Sequence, residues 1–209
     1  MTKRAIKRAV QVVVLASLLP VLIGGCALNG SQPTGPQQGQ AAPPPEPGLD
    51  LPERPRDLPV AGLGEAQICE LIKPEQLGQL GVGGGNPAPK DAEHDFPGCS
   101  WLSEPGAASS IGVLVLIAPM SVQDLQAQSM DPSGDTATTY ELADGFGAVQ
   151  TQVPGAERLG CVVDVDVAEG KTLEAGLSWQ GGAEMTNQAM CAKAKQAAEF
   201  AVSNLQAQA

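Results

Sequence analysis

The chain has 209 residues, with 12 Lys and Arg against 23 Asp and Glu for a net charge of −11. That balance excludes phosphate-backbone binding to nucleic acid and electrostatic attachment to anionic lipid heads, both of which need an excess of basic side chains. The length suits one cored domain with flanking segments and leaves no room for several.

The first elements are an export signal. Lys3, Arg4, Lys7 and Arg8 open the chain, and no acidic residue precedes Glu46. An apolar stretch over 9–23 follows, interrupted only by Gln11, Ser17 and Pro20. This is a basic region followed by an apolar region of signal-peptide length, shorter than the roughly 20 apolar residues of a comfortable spanning helix. It ends in Ile23-Gly24-Gly25-Cys26, two small residues and then a cysteine, which resembles the bacterial lipobox. The expectation is a signal peptide over 1–25, cleavage before Cys26, and lipid on the Cys26 thiol. An uncleaved apolar anchor and an ordinary secretion signal are the competing readings. Two or three acyl chains hold a protein stably where one does not, so the expected place is the outer face of the cytoplasmic membrane. Cleavage would remove four of the 12 basic residues and none of the 23 acidic ones, leaving −15.

Residues 26–62 read as the lipidated cysteine and a tether rich in Pro, Gln and Gly, without an aromatic residue. Such a composition buries too little apolar surface to offset its ordering entropy, so a disordered spacer is expected. Pro43-Pro44-Pro45 adds local stiffness and also reads as a ligand for a polyproline-binding partner. The span 63–209 then reads as a single extracytoplasmic domain.

Within it, four cysteines remain once Cys26 is set aside: Cys69, Cys99, Cys161 and Cys191. An even number in an exported domain points to two disulfides. Of three connectivities, Cys69–Cys99 with Cys161–Cys191 is preferred, because it joins sequence neighbours and staples each half separately. A zinc site competes poorly, since no C-x-x-C pair is present and the chain has 1 His. No metal and no cofactor are expected.

In chain order, Glu65, Ile68, Leu71 and Ile72 suggest a first helix, and Pro74 restarts a second through Leu77 and Leu80, which Gly81 to Gly85 ends. Ser100-Trp101-Leu102 and a run over 111–118 read as strands, the second fully buried. Ser121 caps a short helix facing inward with Val122, Leu125 and Met130. Three more strands are expected over 148–153, 161–167 and 172–179, the last two joined by a tight turn at Glu169-Gly170. Val163, Val165 and Val167 alternate with Asp164 and Asp166, as a sheet with one wet face requires. A long closing helix over 185–205 carries Met190, Ala194, Ala197, Ala201 and Leu205 on one stripe. The fold class is α+β: an antiparallel sheet packed by helices, with a long C-terminal helix and two disulfides.

Cys69-Glu70-Leu71-Ile72-Lys73-Pro74-Glu75, Cys99-Ser100-Trp101, Val165-Asp166-Val167-Ala168 before its hairpin, and Cys191 in an alanine-rich last helix together resemble actinobacterial lipoproteins of domain of unknown function 3558. The likeness spans about 68–205 and is loose over 104–160. It implies an envelope lipoprotein with an α+β domain, and it lends no catalytic residue.

Chemistry-bearing patterns are sparse. Gly81-Val82-Gly83-Gly84-Gly85 follows a helix and precedes no Lys-Ser/Thr, so it is a helix stop rather than a phosphate loop. His94, between Glu93 and Asp95, reads as a solvated loop residue, because no G-x-S-x-G elbow supplies a nucleophile. Asp164-Val165-Asp166 lacks the third ligand and glycine of a calcium loop, and strand alternation explains it better. Asp144-Gly145-Phe146-Gly147 reads as a turn feeding a strand. The expected function is a non-catalytic module, monomeric, binding an envelope ligand or partner protein. An envelope hydrolase and an inert surface antigen or spacer are the alternatives.

Overall fold

The computed structural model describes residues 49–88, 95–129, 136–142, 145–152 and 160–209. Its elements are α1 (Glu65–Cys69), α2 (Pro74–Leu80), β1 (Gly85–Pro87), β2 (Gly98–Leu102), β3 (Ser109–Ala118), α3 (Val122–Ser129), β4 (Thr136–Glu141), β5 (Gly147–Gln152), β6 (Gly160–Ala168), β7 (Lys171–Gly182) and α4 (Asn187–Gln206). The strands form one sheet in the order β1-β2-β3-β7-β6-β5-β4. Every pairing is antiparallel, with the β6–β7 hairpin near the centre. The expected α+β class, the antiparallel sheet and the long C-terminal helix are all present.

Local chemistry sets the helix ends. Gln76 reaches back to accept the Lys73 N–H at 2.8 Å, Pro74 opens α2, and Gly81 closes it at φ 81°, where a side chain would be strained. Thr186 accepts the Ala189 N–H at 3.2 Å and starts α4. Ser121 does the same for Asp124 at 3.1 Å and starts α3. Lys193 of α4 donates to the Leu80 carbonyl at 2.8 Å, placing a cation at the negative end of α2. Asn204 donates at 2.7 Å to both the Leu71 carbonyl and Gln76 Oε1, which fixes the α1–α2 corner against α4.

The two faces of the sheet are covered differently. On the helix face, Val163, Val165 and Val167 of β6, Leu173, Ala175 and Leu177 of β7, and Val113, Val115 and Ile117 of β3 share one buried cluster with Met190, Ala194, Ala197, Ala201 and Leu205 of α4. Both disulfides tie a helix to a strand. Cys69 of α1 joins Cys99 of β2 with Cα atoms 5.0 Å apart, and Cys161 of β6 joins Cys191 of α4 at 5.1 Å. Each closes a 30-residue separation, a constraint on the unfolded chain of roughly 3–4 kcal/mol in the loop-entropy picture. The neighbour connectivity expected from the sequence is the one present.

Four expectations are corrected. The packed chain does not begin near 63: Leu58 and Val60 are buried in the core cluster, and Leu58 N–H donates to the Val167 carbonyl at 2.8 Å. Pro-rich composition concealed an apolar pair that reaches the core. The run over 111–118 is not buried throughout, since Leu114 and Leu116 lie half-buried on the face away from α4. The wet face expected for β6 is roofed, because Asp164 is 2% exposed and Asp166 is held by Arg54. β1 and β4 were not expected. β1 is a short edge strand containing Pro87, which cannot donate to a neighbour, and β4 is the polar TATTYE at the opposite edge. Met130 lies outside the described residues, as do 1–48 with the expected signal peptide, Cys26 and most of the tether.

Leu58→Ala removes a core side chain and is expected to cost about 2–5 kcal/mol. A chain beginning at 63 should accordingly melt several degrees below one beginning at 49. Equal midpoints in thermal unfolding would show that the 49–62 segment adds nothing to stability.

Candidate functional site

Opposite α4, the second face of the sheet carries Gly112, Leu114 and Leu116 of β3, Thr172, Glu174, Gly176 and Ser178 of β7, Val162, Asp164 and Asp166 of β6, and Val149 and Thr151 of β5. These positions stand opposite one another in the strand registers. Three covers lie over parts of it. Arg54 Nη1 donates to both oxygens of Asp166 at 2.6 and 2.7 Å, while its Nε donates to Asp57 at 2.7 Å. Leu51 and Pro52 sit so close to Gly147 that any side chain there would meet them at 3.0–3.2 Å. α3 buries Val122 and Leu125, and the Met120 carbonyl before it accepts the Thr172 hydroxyl at 2.9 Å.

Under α3 sits a buried polar chain. Thr151 Oγ1 donates to Gln126 Oε1 at 3.0 Å, and Gln126 Nε2 donates in turn to Asp164 Oδ2. Asp164 Oδ1 has no hydrogen-bond partner, and Glu174 stands directly across the strand pair from Asp164. Burial pushes the Asp164 carboxyl well above the usual carboxylate range. The like charge of Glu174 adds to that shift, and the Gln126 hydrogen bond opposes it.

Between these covers the face stays open. A depression of about 330 Å³ runs across β3, β7, β6 and β5. Gly112, Gly160 and Gly176 lie on three adjacent strands and leave it without side chains at its floor, and Leu114 and Val162 stand on either side of Gly176 in the register. A Cβ at Gly160 would fall 2.6 Å from the Leu177 carbonyl oxygen, so only glycine fits there. A Cβ at Gly176 would meet nothing closer than Leu114 Cβ at 3.8 Å, which leaves real space above it. Glu174 is the one ionisable side chain in the lining, since Cys161 is in its disulfide. Thr151 and Ser178 supply the hydroxyls; Thr151 is bound to Gln126, and Ser178 accepts from Gln180 at 3.3 Å. Leu102, 54% exposed, continues the apolar surface beyond Gly112. The volume and the mostly apolar walls match the lower end of small-molecule sites.

Of the residues singled out in the sequence, His94 and Cys26 lie outside the described residues. Gly81 caps α2 and Gly85 begins β1. Asp164 and Asp166 share one face but are held by different covers. Among the described residues no group of three or more His, Cys, Asp or Glu is placed to hold a metal ion. Sequence reading missed Gln126, Thr151, Glu174 and the glycine floor. Gly112 and Gly176 were detectable as glycines interrupting strands, a signal of close approach or a missing wall, whereas nothing local marked Gln126.

A folded-state carboxyl pKa above its unfolded value means that the native chain holds a proton the unfolded chain has released. Stability therefore falls as pH rises from the unfolded carboxylate range to the raised Asp164 value, and is flat beyond it. Asp164→Asn cannot ionise. Its melting midpoint should fall less than the wild type's between about pH 4 and about pH 8, and identical pH slopes would contradict the buried, proton-retaining carboxyl.

Comparison with known proteins places this arrangement. No curated protein and no solved structure matches the chain. A family model described as "Protein of unknown function (DUF3558)" matches residues 21–204, which include every described element up to the last turn of α4. The chain belongs to the DUF3558 family.

Proposed function

We propose that this protein is a non-catalytic binding module of the cell envelope, held on the outer face of the cytoplasmic membrane by lipid on Cys26, and that it takes a small apolar ligand in the second-face depression. The observation that carries the reading is the glycine floor between Leu114 and Val162, which opens an apolar space on an otherwise roofed sheet face. Non-catalytic binding is favoured because both lining hydroxyls are engaged by amide side chains rather than set against a base that would activate them. The basic-apolar-cysteine order of residues 3–26 supports the anchor, and the acidic balance supports a partner other than nucleic acid.

The neutral fluorophore N-phenyl-1-naphthylamine tests the site on the chain 27–209, which retains every described residue. Wild type should enhance its fluorescence saturably, and Gly176→Leu, which fills the space, should abolish the enhancement with little loss of stability. No wild-type binding, or binding indifferent to Gly176→Leu, would contradict the site. In cells, Cys26→Ser should leave the precursor unprocessed or free the protein from membranes, whereas normal processing with full retention would contradict the anchor.

A further inference from the structure

Building on the binding reading above, we propose that the depression selects a small apolar cation, a hydrocarbon body bearing a protonated amine, with the body over Gly112 and Gly176 and the amine against Glu174. Three observations converge on that chemistry. First, the walls are hydrocarbon and glycine backbone, so the body of a ligand gains by leaving water there. Second, the one ionisable group in the lining is an acid, and the lining contains no Lys or Arg. An anion would meet Glu174 in a setting of reduced dielectric, where like charges repel more strongly than in water. A cation would meet its complement.

Third, Glu174 is directly opposite a second carboxyl, Asp164, which is 2% exposed and has one oxygen without a hydrogen-bond partner. Like acids facing each other across a strand pair destabilise the sheet. The covers recruit only one cation to this face, Arg54, and it is already committed to Asp166 and Asp57. The sheet thus presents two adjoining acids at the polar end of an apolar space, with Thr151 beside them. A bound ammonium would offset their repulsion and supply N–H donors to carboxylate oxygens.

Displacement of N-phenyl-1-naphthylamine from the chain 27–209 by three ligands of equal length tests the proposal: octylammonium, 1-octanol and octanoate near pH 7. Octylammonium should displace the probe at about one tenth the concentration needed for 1-octanol, a difference of roughly 1.4 kcal/mol. Octanoate should be the weakest of the three. Glu174→Gln should bring octylammonium and 1-octanol to within about twofold while leaving probe affinity unchanged, which a merely structural role for Glu174 would not do. Equal displacement by all three, or a preference for octanoate, overturns the cation proposal while leaving the apolar site standing. An octylammonium advantage that survives Glu174→Gln also overturns it. Absence of probe binding to wild type overturns the binding reading itself.

Discussion

Strand β6 sets the terms for the whole molecule, because it carries valine on one side and aspartate on the other at the centre of a sheet. Val163, Val165 and Val167 are each fully buried against the helix face. Asp164 and Asp166 must then be accommodated on a face that other parts of the chain also cover. The two are handled by opposite means. Asp166 stays partly solvated and is neutralised by Arg54. Asp164 is buried without a cation and satisfied on one oxygen by Gln126. A buried carboxyl lacking a partner cation favours its protonated form, so α3 rests on a group whose charge state and packing are linked.

The covalent staples reinforce this asymmetry. Cys69–Cys99 and Cys161–Cys191 each pin a helix to a strand, α1 to β2 and α4 to β6. On the second face, by contrast, α3 and the 49–57 segment are held by side-chain hydrogen bonds, one ion pair and modest apolar burial. Ligand sites tend to lie on such less firmly held regions placed on a rigid support. Cys161 links the two sides, since it lines the depression and belongs to the bridge that anchors α4.

Much of the helix face was legible in the sequence, and much of the second face was not. The valine alternation of β6, the alanine stripe of α4 and the pairing of neighbouring cysteines report strong, local, periodic constraints. β4 was missed because TATTYE is polar and lies at an edge, where alternation need not record burial. The strap carrying Leu58 and Val60 was missed because two apolar residues among prolines show no period. Asp164 was misplaced for a deeper reason: alternation marks which side of a strand a residue takes, not whether a distant helix later covers that side. The depression was hidden likewise, because it is defined by three glycines brought together only by the registers of β3, β7 and β6.

The central claim is that the second face of the sheet, rather than the helix face, receives a ligand. Backbone amide NMR of the chain 27–209 titrated with octylammonium tests it most directly. The expected result is a set of shift changes centred on Gly112, Gly160, Glu174 and Gly176, with the amides of α4 from Ala194 to Ala201 unmoved. Changes concentrated on α4, or none anywhere at saturating ligand, would contradict it.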